Sequence, residues 1–314
     1  MKLDERQLIH LAAVVQAGSV SEAAALLGIS QPAVSKTLSA LERRLDAELF
    51  VKGKRPLQPT PLGRALAEHG QTMLSASRRA SETAQGFRSG TKGLVRIGGT
   101  PFFMEGIVSG MIARFQNRYP DVRVHQFQGY MAELRAMLEA DRIDLAISPI
   151  GMLGEGSDIA FEQILPGGNV VACRSTHPLT IRKSVHSSDL LEFPWVAPQP
   201  GSPLNADLDA ILLSLGATSV KVLMSGSGLA GLLHYLSETD ALAILPHSVV
   251  HALHKRHRIT ALPIRIPHLE RPLGIMRLSS RPSPPVIDAF ARFVADEFGE
   301  LNAQISGHDP HPDG

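Results

Sequence analysis

The sequence predicts an α/β chain in two parts. A helical amino-terminal region is joined by one long helix to a larger region in which strands alternate with helices. Three observations predict this: the spacing of small, turning and apolar residues between Ser19 and Leu41, the unbroken helical pattern that starts at Thr60, and the change to strand–helix alternation from Leu94 onward. At 314 residues, 44% hydrophobic and 19% charged, the chain is long enough for two or three domains with cores and too apolar to be disordered.

The opening residues Met1 to Gln7 are charged and read as the start of a first helix, so no secretory signal is expected. Next comes a helix-turn-helix. Ala24 sits where two helices must approach closely, Gly28 where the chain must turn, and Val34 where the second helix packs back. Ser19 and Glu22, three apart, make a capping box for the first of these helices. Ser30 is placed to cap the second, with Pro32 in its first turn, where a missing N–H costs nothing. On that second helix Ala33, Val34, Leu38 and Leu41 fall on the inward face, leaving Gln31, Pro32, Ser35, Lys36 and Ser39 outward. Gln pairs with adenine and Lys with guanine or phosphate, and the first turn of such a helix is the part that enters a major groove. The plain alternative is a helical hairpin with a polar face.

The next segment favours DNA. After a helix read over Leu41 to Leu49, residues 50–63 hold a turn and the cations Lys52, Lys54 and Arg55, as a wing touching the sugar-phosphate backbone would. Residues 1–64 carry nine Lys and Arg against six Asp and Glu, whereas the rest of the chain carries 22 against 24, so the basic excess lies where the motif meets an anion.

With Ser30 to Lys36 and the Leu49–Phe50 doublet before the wing, the sequence resembles the LysR-type transcriptional regulators along its whole length. It departs from the family pattern at Lys52, where an Arg is usual, and at the wing exit Gln58-Pro59-Thr60-Pro61. The resemblance implies an N-terminal winged helix-turn-helix (1–59), with Ser21 added to the DNA-contacting set, and a long linker and dimerisation helix with hinge (60–90). A C-terminal two-lobed α/β effector-binding domain resembling a periplasmic binding protein follows (91–303), lobe I being about 92–164 and 266–303 and lobe II about 165–265. Residues 304–314 are expected to be a flexible tail. It also implies a homodimer or homotetramer on double-stranded DNA bearing an interrupted inverted repeat, a small-molecule effector, and RNA polymerase as a further partner.

The linker helix starts at Thr60-Pro61 and carries Leu62, Leu66, Met73, Ala80 and Phe87 mostly at steps of seven. This narrow stripe on about 28 residues, about 42 Å of helix, suits pairing with a second copy. Docking onto its own chain is the alternative. Residues 88–93 read as a hinge. Beyond it, strands are expected at 94–97, 122–128, 144–148, 169–173, 195–197, 220–224 and 241–245, with helices at 101–118, 132–140 and 285–298.

Ligands of open α/β sheets sit beyond the carboxyl ends of strands. Thr100-Pro101 opens a helix after a strand, where its hydroxyl and free amides would hold an anion, with Phe102 and Phe103 as apolar wall or core. Gly201 and Ser202, and the turn at Ser225-Gly226, are the matching points of the second lobe. Thr100, Ser148, Ser202 and Ser225 match positions that line the effector cleft in the LysR type. This polar set favours a small organic acid, and no other cofactor is expected.

A competing reading takes Gly226-Ser-Gly-Leu-Ala-Gly231 as G-x-G-x-x-G, hence a dinucleotide-dependent enzyme or another small-molecule-binding protein. The acidic residue expected about 20 positions on is missing, because the next strand ends in Leu245-Pro246-His247. His247, His251 and His254 share a helix face at metal-ligand spacing, but the run His254-Lys-Arg-His-Arg258 opposes a cation. No hydrolase, Walker or paired-carboxylate constellation is present, so an enzyme is not expected. Cys173 is the single cysteine, which excludes intramolecular disulfides and suits a reducing cytoplasm. No apolar run reaches the roughly 18 residues of a membrane helix.

Overall fold

The computed structural model describes residues 3–89, 93–149, 158–182, 184–198, 202–214, 220–226, 228–264 and 271–306. The chain forms two compact units, one built on residues 1–90 and the other on nearly all of 91–314. In the first, α1 (Glu5–Ala17) begins at Asp4, whose carboxylate accepts from the Arg6 amide, and ends at Gly18 with φ +70°. Helix α2 (Val20–Leu27) starts at Ser19, whose Oγ accepts from Glu22 N at 3.1 Å, and stops at Gly28 with φ +66°, a conformation that favours glycine.

Helix α3 (Gln31–Leu45) differs from expectation in three ways. Ser30 takes the capping position, but its side chain makes no capping bond. Ala33 is exposed, because the inward stripe is only Val34, Leu38 and Leu41. No second helix spans Leu41 to Leu49; α3 runs through Leu41 and ends where Asp46 turns left-handed, and Glu42 Oε1 then accepts from Leu49 N at 2.9 Å. Leu8, Leu11, Val14, Ala24, Val34, Leu41 and Leu49 form the shared core. Truncating such a fully buried leucine to alanine costs about 2–5 kcal/mol.

Helix α4 (Pro61–Ser89) starts at Thr60, whose Oγ1 accepts from Gly63 N at 3.0 Å. It lies against its own domain through Gly63, Ala67 and Gly70. A Cβ at Gly70 would stand 2.0 Å from the Leu8 carbonyl oxygen, and one at Gly63 would stand 2.1 Å from that of Leu49. This close approach divides the expected pairing stripe: Leu66 and Met73 are half-buried against their own core, whereas Leu62 and Ala80 are exposed. The helix continues through Arg88 and Ser89, so the expected hinge does not begin there; residues 90–92 lie outside the described residues.

The second unit holds two five-stranded sheets, in the orders β2-β1-β3-β10-β4 and β7-β6-β8-β5-β9. In lobe I, β1 (Gly93–Gly99) runs parallel to β2 (Val122–Gln128) and β3 (Leu145–Pro149), and β10 (Leu273–Leu278) is antiparallel to β3 and β4 (Ile159–Leu165). Lobe II follows the same plan. Strand β6 (Trp195–Pro198) is parallel to β7 (Val222–Gly226) and β8 (Leu242–Pro246), and β5 (Asn169–Arg174) is antiparallel to β8 and β9 (Ile259–Ala261). The crossing segments touch at Gly167, where a Cβ would lie 2.4 Å from the backbone nitrogen and oxygen of Arg271.

Between β1 and β2, α5 (Pro101–Phe103), a π-helical turn (Met104–Val108) and α6 (Ser109–Arg118) follow without a break; α7 (Met131–Glu139) follows β2. Lobe II adds α8 (Ser187–Leu190), α9 (Pro203–Ser214), α10 (Leu229–Glu238) and α11 (His247–His257). Helix α12 (Pro285–Ser306) outruns the expected 285–298 because Leu301 still packs on the core. Residues 304–306 of the expected tail are therefore helical, and 307–314 lie outside the described residues. One apolar cluster spans both lobes, from Ile97, Phe115 and Phe290 to Val196, Leu232 and Val249.

Candidate nucleic-acid interface and effector cleft

In the amino-terminal unit, Gln31, Pro32, Ser35, Lys36 and Ser39 are all exposed on α3, while Val34, Leu38 and Leu41 on the opposite face are buried. Ser21 is exposed on α2 and donates its hydroxyl to Gln31 Oε1 at 3.1 Å. The bond fixes the carboxamide at the start of α3 and leaves its amide nitrogen available as a donor. The wing is a short hairpin: Phe50 bridges Pro59, Val51 N donates to Gln58 O at 2.8 Å, and Gly53 turns it at φ +74°. Lys52, Lys54 and Arg55 are exposed on it. Lys52 is paired with Glu48, which raises its pKa above the ordinary lysine value. Among the described residues, Lys54 and Arg55 have no ionic partner, so they are freer than Lys52 to meet an anion.

In the carboxy-terminal unit, Thr100 and Ser148 meet. They stand at the ends of neighbouring strands β1 and β3, both buried, with Oγ1 and Oγ 3.0 Å apart. Ser148 also reaches the Pro149 carbonyl, donating at 3.2 Å, and either hydroxyl can donate in the Thr100–Ser148 pair. Thr100 makes no side-chain capping bond to α5. Both hydroxyls rotate, so an entering acceptor could take a bond from each. Pro101 and Phe102 are buried, and Phe102 belongs to the apolar cluster, so its ring serves as core.

Across the cleft, Ser202 is buried and caps α9, its Oγ accepting from Asn205 N at 3.2 Å. Gly201 lies outside the described residues. Ser225 and Gly226 are not in a turn. Strand β7 runs two residues further than expected, because it pairs as far as the end of β6, with Ser225 opposite Ala197 and Gly226 opposite Pro198. Ser225 is exposed and Gly226 half-buried.

Three residues of this site escape sequence reasoning. Tyr130, just past β2, is near enough to Ser202 of the opposite lobe to feel it: burial raises the phenol's pKa above the ordinary tyrosine value and Ser202 opposes that. Gln128 ends β2 and donates to Glu105 Oε1 at 3.2 Å. Glu105 Oε2 in turn accepts from Leu229 N, the first amide of α10, at 3.1 Å. The rule that ligands gather beyond strand ends would have found Gln128 and Tyr130; nothing in the sequence points Glu105 at the other lobe.

That last bond also bears on the G-x-G-x-x-G reading, since a pyrophosphate at the start of α10 would meet a carboxylate. The histidine row holds no metal arrangement: His254 Nδ1 donates to the His251 carbonyl at 2.6 Å, and no group of three or more ligating side chains occurs among the described residues. No described helix is long and apolar enough to cross a membrane.

Two family models match the chain. Residues 6–64 match the bacterial regulatory helix-turn-helix of the lysR family, and residues 88–299 match the LysR substrate binding domain. Among similar proteins, the SDS degradation transcriptional activation protein of Pseudomonas sp. is 25% identical over 298 residues, 94% of this chain and 96% of its own. The transcriptional dual regulator GltC of Bacillus subtilis is 27% identical over 301 residues, 95% and 99% of the two chains. A full-length OxyR variant from Pseudomonas aeruginosa has the same fold, with a TM-score of 0.71 at 20% identity over 95% of each chain. So does full-length CbnR complexed with its target DNA, with a TM-score of 0.65 at 20% identity over 94% of this chain and 100% of that one.

Proposed function

The chain belongs to the LysR family of transcriptional regulators, and within that family we propose which residues read DNA and what the cleft takes. It is a DNA-binding regulator with an effector-binding domain, not an enzyme, and the dinucleotide reading falls. Gln31, Pro32, Ser35 and Lys36 read base edges in the major groove, with Ser21 holding Gln31 and Ser39 at the margin. Lys54 and Arg55 hold backbone phosphate, and Lys52 joins them when released from Glu48. The target is an interrupted inverted repeat bound by a homo-oligomer through α4, in the cytoplasm, with RNA polymerase a downstream contact.

The effector is a small organic acid, seated between Thr100 and Ser148 on one side and Ser202 and Ser225 on the other. Hydroxyl donors are well suited to a carboxylate. Binding closes the lobes and shifts the population of linker-helix arrangements without new chemistry.

One observation carries the DNA reading: an exposed Gln-Pro-x-x-Ser-Lys turn on a helix whose other face is wholly core. Lys36→Ala is expected to lose about 1–3 kcal/mol on operator DNA and little on random duplex, whereas Lys54→Ala weakens both alike. Equal losses for Lys36→Ala on the two DNAs would remove the base-reading role. A thermal-shift series with small carboxylic acids against neutral sugars tests the cleft; stabilisation by sugars alone would overturn the acid assignment.

A further inference from the structure

The π-helical turn Met104–Val108 lies between α5 and α6 on the lobe I side of the cleft. A π-helical turn is an uncommon insertion that displaces the residues it carries, and such turns recur at functional sites. Here Ser109 holds it open: its Oγ donates to the Met104 carbonyl at 2.7 Å. Met104, Ile107 and Val108 stay buried, while Glu105 and Gly106 reach lobe II. Gly106 lies so close to that lobe that a Cβ would stand 3.1 Å from Leu229, 3.2 Å from Val249 and 3.4 Å from Leu253.

Glu105 completes the contact. Gly228 precedes α10 and has no side chain to cap it, so the first amides of the helix need an acceptor from elsewhere. Glu105 supplies it with Oε2 on Leu229 N, while Gln128 holds Oε1. A carboxylate on helix-terminal N–H groups is a charge-assisted bond with a favourable dipole. This one joins residues 124 positions apart, on different lobes.

We propose that Glu105 is an interlobe latch: carried on the π-helical turn, it caps α10 of the opposite lobe and holds the two lobes at the angle seen here. The close approach of Gly106 to Leu229, Val249 and Leu253 is the second tie between the same lobes. An effector that engages Ser202 or Ser225 works against these two ties, so the latch sets how much binding energy is needed to change the lobe angle. Glu105 is a positioning residue, acting through its bonds to Leu229 and Gln128. The regulatory consequence rests on the effector-cleft reading, while the latch itself does not.

Hydrogen exchange on the effector-free full-length protein tests it, comparing wild type with Glu105→Ala and Glu105→Gln, whose amide oxygen still accepts from Leu229. With Glu105→Ala, exchange should quicken about tenfold or more in the first turn of α10. It should also quicken in the segments that move when lobes part, at Tyr130, Gly167–Asn169 and Arg271–Leu273, while the centres of β1 and β8 stay at wild-type rates. Glu105→Gln should lie nearer wild type. A rise confined to α10 would make Glu105 a helix cap and nothing more, and no rise anywhere would remove the bond; either overturns the latch. DNA footprints add a second readout: Glu105→Ala should alter the protected length on operator DNA without effector, and an unchanged footprint counts against the regulatory role. Wild type protecting no DNA would instead break the regulator reading, leaving the exchange result to decide the latch.

Discussion

Gln31, proposed to read a base edge, shows how one bond prepares a side chain for that role. Its carboxamide oxygen is engaged by Ser21 before DNA arrives, which lowers the ordering cost of a base contact. Cys173 is prepared for the opposite purpose. Buried in the lobe II core, its thiol is pushed up to about 12, so almost no thiolate exists at neutral pH. Native protein is therefore expected to resist a thiol reagent that modifies it readily in denaturant, and peroxide should leave DNA binding unchanged; rapid native labelling would refute the assignment. His177 carries a pH dependence. Its Nδ1 accepts from Leu179 N at 3.1 Å and its Nε2 meets the Asp240 carbonyl at 3.2 Å. Burial lowers its pKa, with Asp240 opposing. Below the ordinary value of about 6.5, the unfolded chain binds a proton that the folded one refuses, so stability is complete above that pH and declines as pH falls toward the lowered value. The stability gap between wild type and His177→Gln should narrow below pH 6.5; a gap constant from pH 8 to 5 would contradict it.

Among the elements, α4 is where sequence and structure part most instructively. Steps mostly of seven through Leu62, Leu66, Met73, Ala80 and Phe87 suggest one pairing stripe. The helix is instead positioned by residues without bulk: Gly63 and Gly70 bring it into backbone contact with the Leu49 exit and α1. Gly70→Ala forces a methyl into the Leu8 carbonyl and should destabilise the DNA-binding unit by about 1–3 kcal/mol, lowering its melting transition while effector-domain melting holds. Unchanged melting of both would show that α4 does not depend on that approach. Ala24, Gly28 and Val34 were legible because each job in a helix-turn-helix demands one residue type. Strand ends were legible in part; that Thr100, just past β1, and Ser148, within the neighbouring β3, bring their hydroxyls together was not. Ala33, the left-handed stop at Asp46 and the extension of β7 to Gly226 were not, being set by packing and pairing partners far along the chain. Glu105 was the least legible of all, because its partner is a backbone amide, which carries no sequence signature.

The chain holds one unit with an exposed polar helix face, proposed to read DNA, and another whose two lobes are bridged by the Glu105–Leu229 hydrogen bond. A modest net charge of +1 conceals a basic excess confined to the first 64 residues, so DNA affinity should be electrostatic in origin and specific only through α3. The most direct test is fluorescence anisotropy of the full-length protein on genomically selected operator DNA and on random duplex across a salt series, beside the double variant Gln31→Ala/Lys36→Ala. The account predicts a steep loss of affinity with salt on both DNAs for wild type, a preference of about 10³-fold or more for operator, and a collapse of that preference in the variant with the salt slope largely kept. A variant that retains the full preference for operator would contradict the assignment of α3 as the reading element.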